Sequence, residues 1–387
     1  MRSRIGRARR LSVSRRADPL ALLALLAAIC LASAVVAGGR GDWNQFVAAG
    51  RSMFADNGWS VFARNHDVQT GPISLAAARI LAVTARNGFL ACALLCMLLG
   101  VFVLRTLVTS SADVNDGRRR TMLTIVGGSL LLFSWAKLGG YGHLDDAMVL
   151  AAGVTSTAMM RANRKWPAAI LLGLSIAVKP WAIVLLPITL CRRGSWRRRL
   201  EGPALSAMIG VVMWAPFILF APDTLKSMRP TVNLASDSVL RIFGATSDNI
   251  PASLRTAQLL AALAVAAIVA WRGRINGVLL AAIAVRLAMD PGTWSYYTPG
   301  LVVGALVWDA YESRRKLPWA TIAASLLLLP SWIIPSADVR AGLRLVACVA
   351  AVAVVLGGGA DRVRVRHTTS HAGHVGPNIA LAAATSF

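Results

Sequence analysis

Apolar residues run along this chain in long blocks instead of alternating at helical or strand spacing. The blocks from Leu20 to Val36 and from Leu205 to Ala221 hold no charge, and the block from Val339 to Gly359 holds only Arg340 and Arg344, both near its start. A helix needs about 20 apolar residues to cross a hydrocarbon core roughly 30 Å thick. Inside lipid only helices and closed barrels satisfy their own backbone, and blocks this uniformly apolar lack the alternation of a barrel strand. The pattern predicts an all-α polytopic transmembrane bundle, residues 19–360, of about 10–12 spans. These spans fall near 19–37, 87–108, 121–138, 145–160, 166–178, 181–192, 203–221, 256–271, 276–289, 298–311, 319–334 and 340–358. The pair 166–178 and 181–192 is too short for two full crossings and reads equally as one broken helix pair that dips in and returns.

Composition agrees with the pattern. Of the 387 residues, 56% are hydrophobic and 15% charged, against roughly 25% charged in a soluble domain. The net charge of +24 would suggest nucleic acid in a soluble protein, but the arginines fall in every second connection, as the positive-inside rule produces. Arg118 to Arg120, Arg161 to Lys165, Arg192 to Arg199, Arg272 to Arg274 and Arg314 to Lys316 all land on one side, with the basic segment 1–18 and Arg362, Arg364 and Arg366. The chain is therefore expected in the plasma membrane with its N-terminus and a disordered tail, 361–387, in the cytoplasm. Ala32-Ser33-Ala34 imitates a signal cleavage site, but a first span followed by many others is expected to stay as an anchor. No basic face is interleaved with exposed aromatics, so nucleic acid is not an expected partner. Cys92 and Cys96 lack His or acidic partners at metal-ligand spacing, and the five cysteines read as small buried hydrophobes.

With the cytoplasmic charges accounted for, the remaining candidates gather on the outer face. Long external segments are expected at 38–86 and 221–255. Asp42 stands just beyond the first span beside Trp43, where a carboxylate can act as a general base or simply be solvated. His143, Asp145 and Asp146 follow a Gly-rich stretch and open the next span. Two Asp with a His suit a divalent cation or a sugar hydroxyl, and one Asp at a helix start equally suits a cap. Lys179 precedes Pro180 at a helix break, placed to meet a phosphate or to snorkel.

The order of these pieces resembles the GT-C superfamily of membrane glycosyltransferases, most closely the actinobacterial polyprenol-phosphate-mannose-dependent mannosyltransferases. It comprises Asp42 after the first span, Gly71-Pro72-Ile73 late in the first loop, Gly142-His143-Leu144-Asp145-Asp146, the apolar Leu171 to Ala177, Lys179-Pro180-Trp181 and Leu186-Pro187. The resemblance covers residues 38–190 and beyond 200 is one of topology. It implies a GT-C-type bundle and transfer of a sugar, mannose, from a polyprenyl-phosphate donor to a cell-envelope glycolipid or glycan acceptor with inversion. Asp42 would be the catalytic base and Lys179 the partner of the leaving phosphate. His143, Asp145 and Asp146 would line the substrate pocket, with Arg229 and Arg241 of the 221–255 segment as further phosphate partners. No cofactor is implied, and a divalent cation is left open. The competing reading is a transporter or flippase of lipid-linked sugars, which predicts inverted repeats and ionisable residues deep in mid-span. Few such residues occur, which favours an interfacial enzyme.

Overall fold

The computed structural model describes residues 19–37, 39–84, 87–111, 116–190, 195–227, 232–246, 249–328 and 333–357. The segment 1–18, the tail 361–387 and Arg229 lie outside the described residues.

The chain is all-α. Helix α1 (Pro19–Ala37) precedes the segment read as the first external loop, which contains α2 (Gly41–Met53), the short α3 (Val61–Arg64) and α4 (Pro72–Thr84). After α5 (Gly88–Ser110), α6 (Gly117–Met122) runs through a π-helical turn into α7 (Gly128–Tyr141). There follow α8 (Leu144–Arg161), α9 (Lys165–Val178), a 3-10 segment Pro180–Leu190 and α10 (Trp196–Phe220). The segment 221–255 carries α11 (Thr224–Ser227), α12 (Val239–Ile242) and a two-stranded antiparallel pair, β1 (Val232–Asn233) with β2 (Asn249–Ile250). The bundle closes with α13 (Ala252–Trp271), α14 (Ile275–Ala288), α15 (Thr298–Tyr311), α16 (Trp319–Leu328) and α17 (Ala337–Gly357).

Among the described residues, five helices are long and apolar enough to cross a membrane: α5, the continuous Gly117–Tyr141, α10, α13 and α17. A sixth arises if Leu23–Val36 and Gly41–Met53, bent by 82°, are one span. Several other segments read as spans form shorter apolar helices of 10–17 residues, among them α9, the 3-10 segment, α14 and α16. Length and composition thus identify five or six crossings where the sequence pattern predicts about 10–12.

Burial sorts these elements. Helices α14 and α15 are buried over nearly their whole length, whereas only 22% of the apolar windows of α10 and α13 and 28% of that of α17 are covered. Such open apolar faces belong against lipid. The basic ends of the helices are tied to one another: Arg119 donates to the carbonyls of Asp309 and Ala310 at 2.9 and 3.2 Å. Arg161 reaches Asn276 Oδ1 at 3.3 Å and covers the Tyr311 ring at 4.2 Å. The opposite ends carry the acidic, His and Lys residues described next.

Candidate active site

Local sequence aims each group inward. Helix α7 ends at Gly142, whose φ of +76° only glycine adopts without strain, and a Cβ there would lie 2.8 Å from Trp43 Cβ. That turn sets His143 ahead of α8, with Asp145 and Asp146 in its first turn, where the helix dipole favours carboxylates. Pro180 disfavours helix at the residue before it, so α9 stops and Lys179 is extended. The freed Val178 carbonyl accepts from Gly71 N at 2.8 Å, Ser74 Oγ at 2.9 Å and Thr70 Oγ1 at 3.2 Å. Gly71 fits because a Cβ there would stand 2.1 Å from the Ala177 carbonyl oxygen. The Gly-Pro segment thereby docks the stretch between α1 and α5 beside Lys179.

The result is a continuous ionic chain. His143 Nε2 lies 2.9 Å from Asp42 Oδ2, and Nδ1 lies 3.3 Å from Asp145 Oδ1. Lys179 Nζ lies 2.8 Å from Asp145 Oδ2 and 2.7 Å from Asp146 Oδ2. Trp181 Nε1 donates to the other Asp146 oxygen at 2.9 Å. Asp42 is the open end, its side chain 40% exposed, while those of His143, Asp145 and Asp146 are buried. Burial opposes charge on His143, but its hydrogen bonds to Asp145 and Asp42 outweigh this and raise its pKa to about 9. The ring is then an imidazolium that donates from both nitrogens. Burial likewise opposes the charge of Lys179, and Asp145 and Asp146 overcome it and raise its pKa. Ligand atoms of His143, Asp145 and Asp146 lie within 4.8 Å of one another, the grouping a divalent cation would use. Lys179 already supplies a cation to both carboxylates there.

These groups open on a cavity of about 480 Å³. A second polar cluster, not singled out by the sequence pattern as a site, lines it too. Arg255 Nη1 lies 3.2 Å from Asp290 Oδ1, and Arg286 Nη2 lies 3.7 Å from Asp290 Oδ2. Gln258 donates to the Arg286 carbonyl at 2.6 Å and to Asp290 Oδ2 at 3.2 Å. The Arg286 guanidinium sits over Trp181 at 4.7 Å and Tyr297 at 5.2 Å, so Trp181 is the partition between the two clusters. Tyr296 stacks on His143 at 3.7 Å, and Trp294, half exposed, stacks on Tyr296 at 6.1 Å. Arg241 is not brought to the cavity; it donates to the carbonyls of Ala235 and Leu234 in its own loop at 3.0 and 3.1 Å. One signal could have found Arg286: an arginine retained inside an apolar block is costly and is kept for a partner.

No protein-family model matches this chain, and no curated protein matches it.

Proposed function

We propose that this chain is a plasma-membrane glycosyltransferase of GT-C type. It would move a sugar, mannose by the resemblance of residues 38–190, from a polyprenyl-phosphate donor to a hydroxyl of a cell-envelope glycolipid or glycan on the outer face, with inversion. The observation that carries this reading is the polarity of the cavity. At one end three carboxylates (Asp42, Asp145, Asp146) meet two cations (His143, Lys179), leaving one negative charge, with Asp42 open to the cavity. At the other end two guanidinium groups share Asp290, leaving one positive charge. A donor phosphodiester carries one negative charge and suits the second end; an acceptor hydroxyl about to lose its proton suits the first.

The roles then divide by availability. Asp42 takes the acceptor proton on its free oxygen, while His143 orients the carboxylate from the other side. Lys179 is engaged by two buried carboxylates and holds His143 and Trp181 in place through them. The phosphate role therefore passes to Arg255 and Arg286, preorganised donors at the point where the leaving group gains charge. Trp294 and Tyr296 offer ring faces to the sugar. A transporter reading lacks comparable support, since the ionisable residues that line the cavity gather at one end of the bundle.

The test is transfer of labelled sugar from polyprenyl-phosphate mannose in membranes. Asp42→Asn is expected to reduce transfer by about 10²–10⁴-fold at unchanged protein level; undiminished transfer removes the proposed base. Arg255→Gln is expected to raise the donor KM about tenfold, as for loss of a charged hydrogen bond, with acceptor KM unchanged.

A further inference from the structure

Two arginines, Arg340 and Arg344, stand one turn apart near the start of α17, a helix long and apolar enough to cross a membrane. Charge in such a helix is costly unless it is paired, and Arg344 is turned inward, only 7% exposed. Their shared partner is Asp237, two residues before α12. Arg340 Nε lies 3.3 Å and Arg344 Nη2 3.5 Å from Asp237 Oδ2, and Arg344 Nη1 donates to the Asp237 carbonyl at 2.7 Å. Arg340 Nη1 also donates to the carbonyls of Ile334 and Pro335, both at 2.8 Å. The other carboxylate oxygen of Asp237, Oδ1, accepts from the Thr293 hydroxyl. Neither Asp237, Thr293, Arg340 nor Arg344 lines the cavity.

The residues that these contacts hold do line it. Thr293 directly precedes Trp294, which lines the cavity with Tyr296. Beside Asp237, Ala235 N donates to the Pro291 carbonyl and Ser238 Oγ to the Asp290 carbonyl, both at 2.9 Å. The segment 235–238 thus grips Asp290, Pro291 and Thr293, and Asp290 is the carboxylate shared by Arg255 and Arg286. Residues 290–294 form no helix or strand of their own, so the placement of both the guanidinium cluster and the ring faces depends on this grip. A buried ion pair adds little net stability over apolar contact of the same size, whereas its directional bonds select one geometry. We propose that Asp237 is a positioning residue: held by Arg340 and Arg344, it fixes 290–297 through Thr293 and so sets the cavity's hold on the donor's phosphate and sugar. This rests on the reading that Arg255 and Arg286 receive that phosphate.

Asp237→Ala would leave two guanidinium groups uncompensated and endanger folding, so the experiment breaks the contact at Thr293. Thr293→Val keeps the shape and removes the donor, and Thr293→Ser keeps the donor. The full chain in lipid nanodiscs is measured for hydrogen exchange over 290–297, for binding of farnesyl phosphate and for transfer from polyprenyl-phosphate mannose. Thr293→Val is expected to speed exchange over 290–297, to weaken farnesyl phosphate binding about tenfold and to raise the donor KM about tenfold. Its acceptor KM should match wild type and its unfolding temperature stay within about 2 °C, while Thr293→Ser should return every value to that of wild type. A merely structural role would lower the unfolding temperature without separating the two KM values. Unchanged exchange, unchanged farnesyl phosphate binding, equal effects of Val and Ser, or a wild type that does not bind farnesyl phosphate would each overturn the inference. Transfer by wild type with a donor KM that Thr293→Val leaves unaltered sinks the positioning role and spares the enzyme reading. Weakened binding in Thr293→Val without transfer of any polyprenyl-linked sugar by wild type does the reverse.

Discussion

At the residue scale, the ionic chain from Asp42 to Trp181 makes Lys179 a structural hub. Removing one partner of a buried charge set leaves the others uncompensated, which costs about 3–5 kcal/mol. Lys179→Met should therefore lower the unfolding temperature in detergent sharply, and adding Asp146→Asn should recover part of the loss. Equal stability of the single variant and wild type would show that the carboxylates do not depend on Lys179. His143 gives a pH signature whose sign is fixed by the direction of its shift. A pKa raised from 6.5 to about 9 means that its stabilising contribution is complete below about 6.5 and is lost as pH rises through about 9. The unfolding temperature should fall over that window in wild type, with the step absent in His143→Gln. Asp42, His143, Asp145, Asp146 and Lys179 were each legible in the sequence because each sits at a span boundary, Asp42, His143 and Lys179 beside a Gly or Pro that marks a turn and the two Asp within four residues of Gly142. Their mutual contacts were not legible, since His143 and Asp42 stand 101 positions apart.

At the element scale, the segment 38–86 reads as a loop because its polar start interrupts the apolar pattern. Its helices α2 and α4 pack on each other because Trp43, Phe46, Ala49 and Gly50 repeat at helical spacing on α2 and cover the inner face. The sequence pattern located the Gly71-Pro72 signal without its physical content, the capping of the Val178 carbonyl by three donors. Gly71→Ala would drive a Cβ into the Ala177 carbonyl, a backbone contact that cannot rotate away. Overpacking of this kind costs about 1–3 kcal/mol. The variant is expected to lose stability and to expose residues 54–70 to limited proteolysis, and an unchanged digestion pattern would rule out this docking. The Arg255, Arg286 and Asp290 cluster escaped the sequence reading for a related reason. Arg286 and Asp290 are one helical turn apart and readable as a pair, but Arg255 comes from α13.

At the scale of the whole molecule, the helices run between two chemically different ends. α5, α8, α13 and α15 leave the cavity end and reach a basic turn or a basic tie, while Gly117–Tyr141, α9, α10 and α14 make the return. The central helices α14 and α15 have 14 residues each, about 21 Å, whereas the peripheral crossing helices have 20–25, about 30–38 Å. At the basic end Arg119 ties the Gly117–Tyr141 helix to the end of α15, and Arg161 of α8 ties to α14 and α15. The stretch from Asp290 to Tyr297 follows α14 at the cavity end, with Tyr296 reaching Tyr141 at 5.5 Å, and Trp294, Tyr296 and Tyr297 line the cavity. In the proposed orientation the positive-inside rule puts the basic end in the cytoplasm. Two exposed positions at opposite ends test it: Asp56→Cys and Arg315→Cys, against described native cysteines that are all buried. A membrane-impermeant maleimide added to intact cells should modify Asp56→Cys and leave Arg315→Cys untouched until the cells are lysed. The reverse pattern would turn the cavity toward the cytoplasm and remove an outer-face acceptor. Labelling of both in intact cells would mean that the two ends do not lie on opposite sides of the membrane.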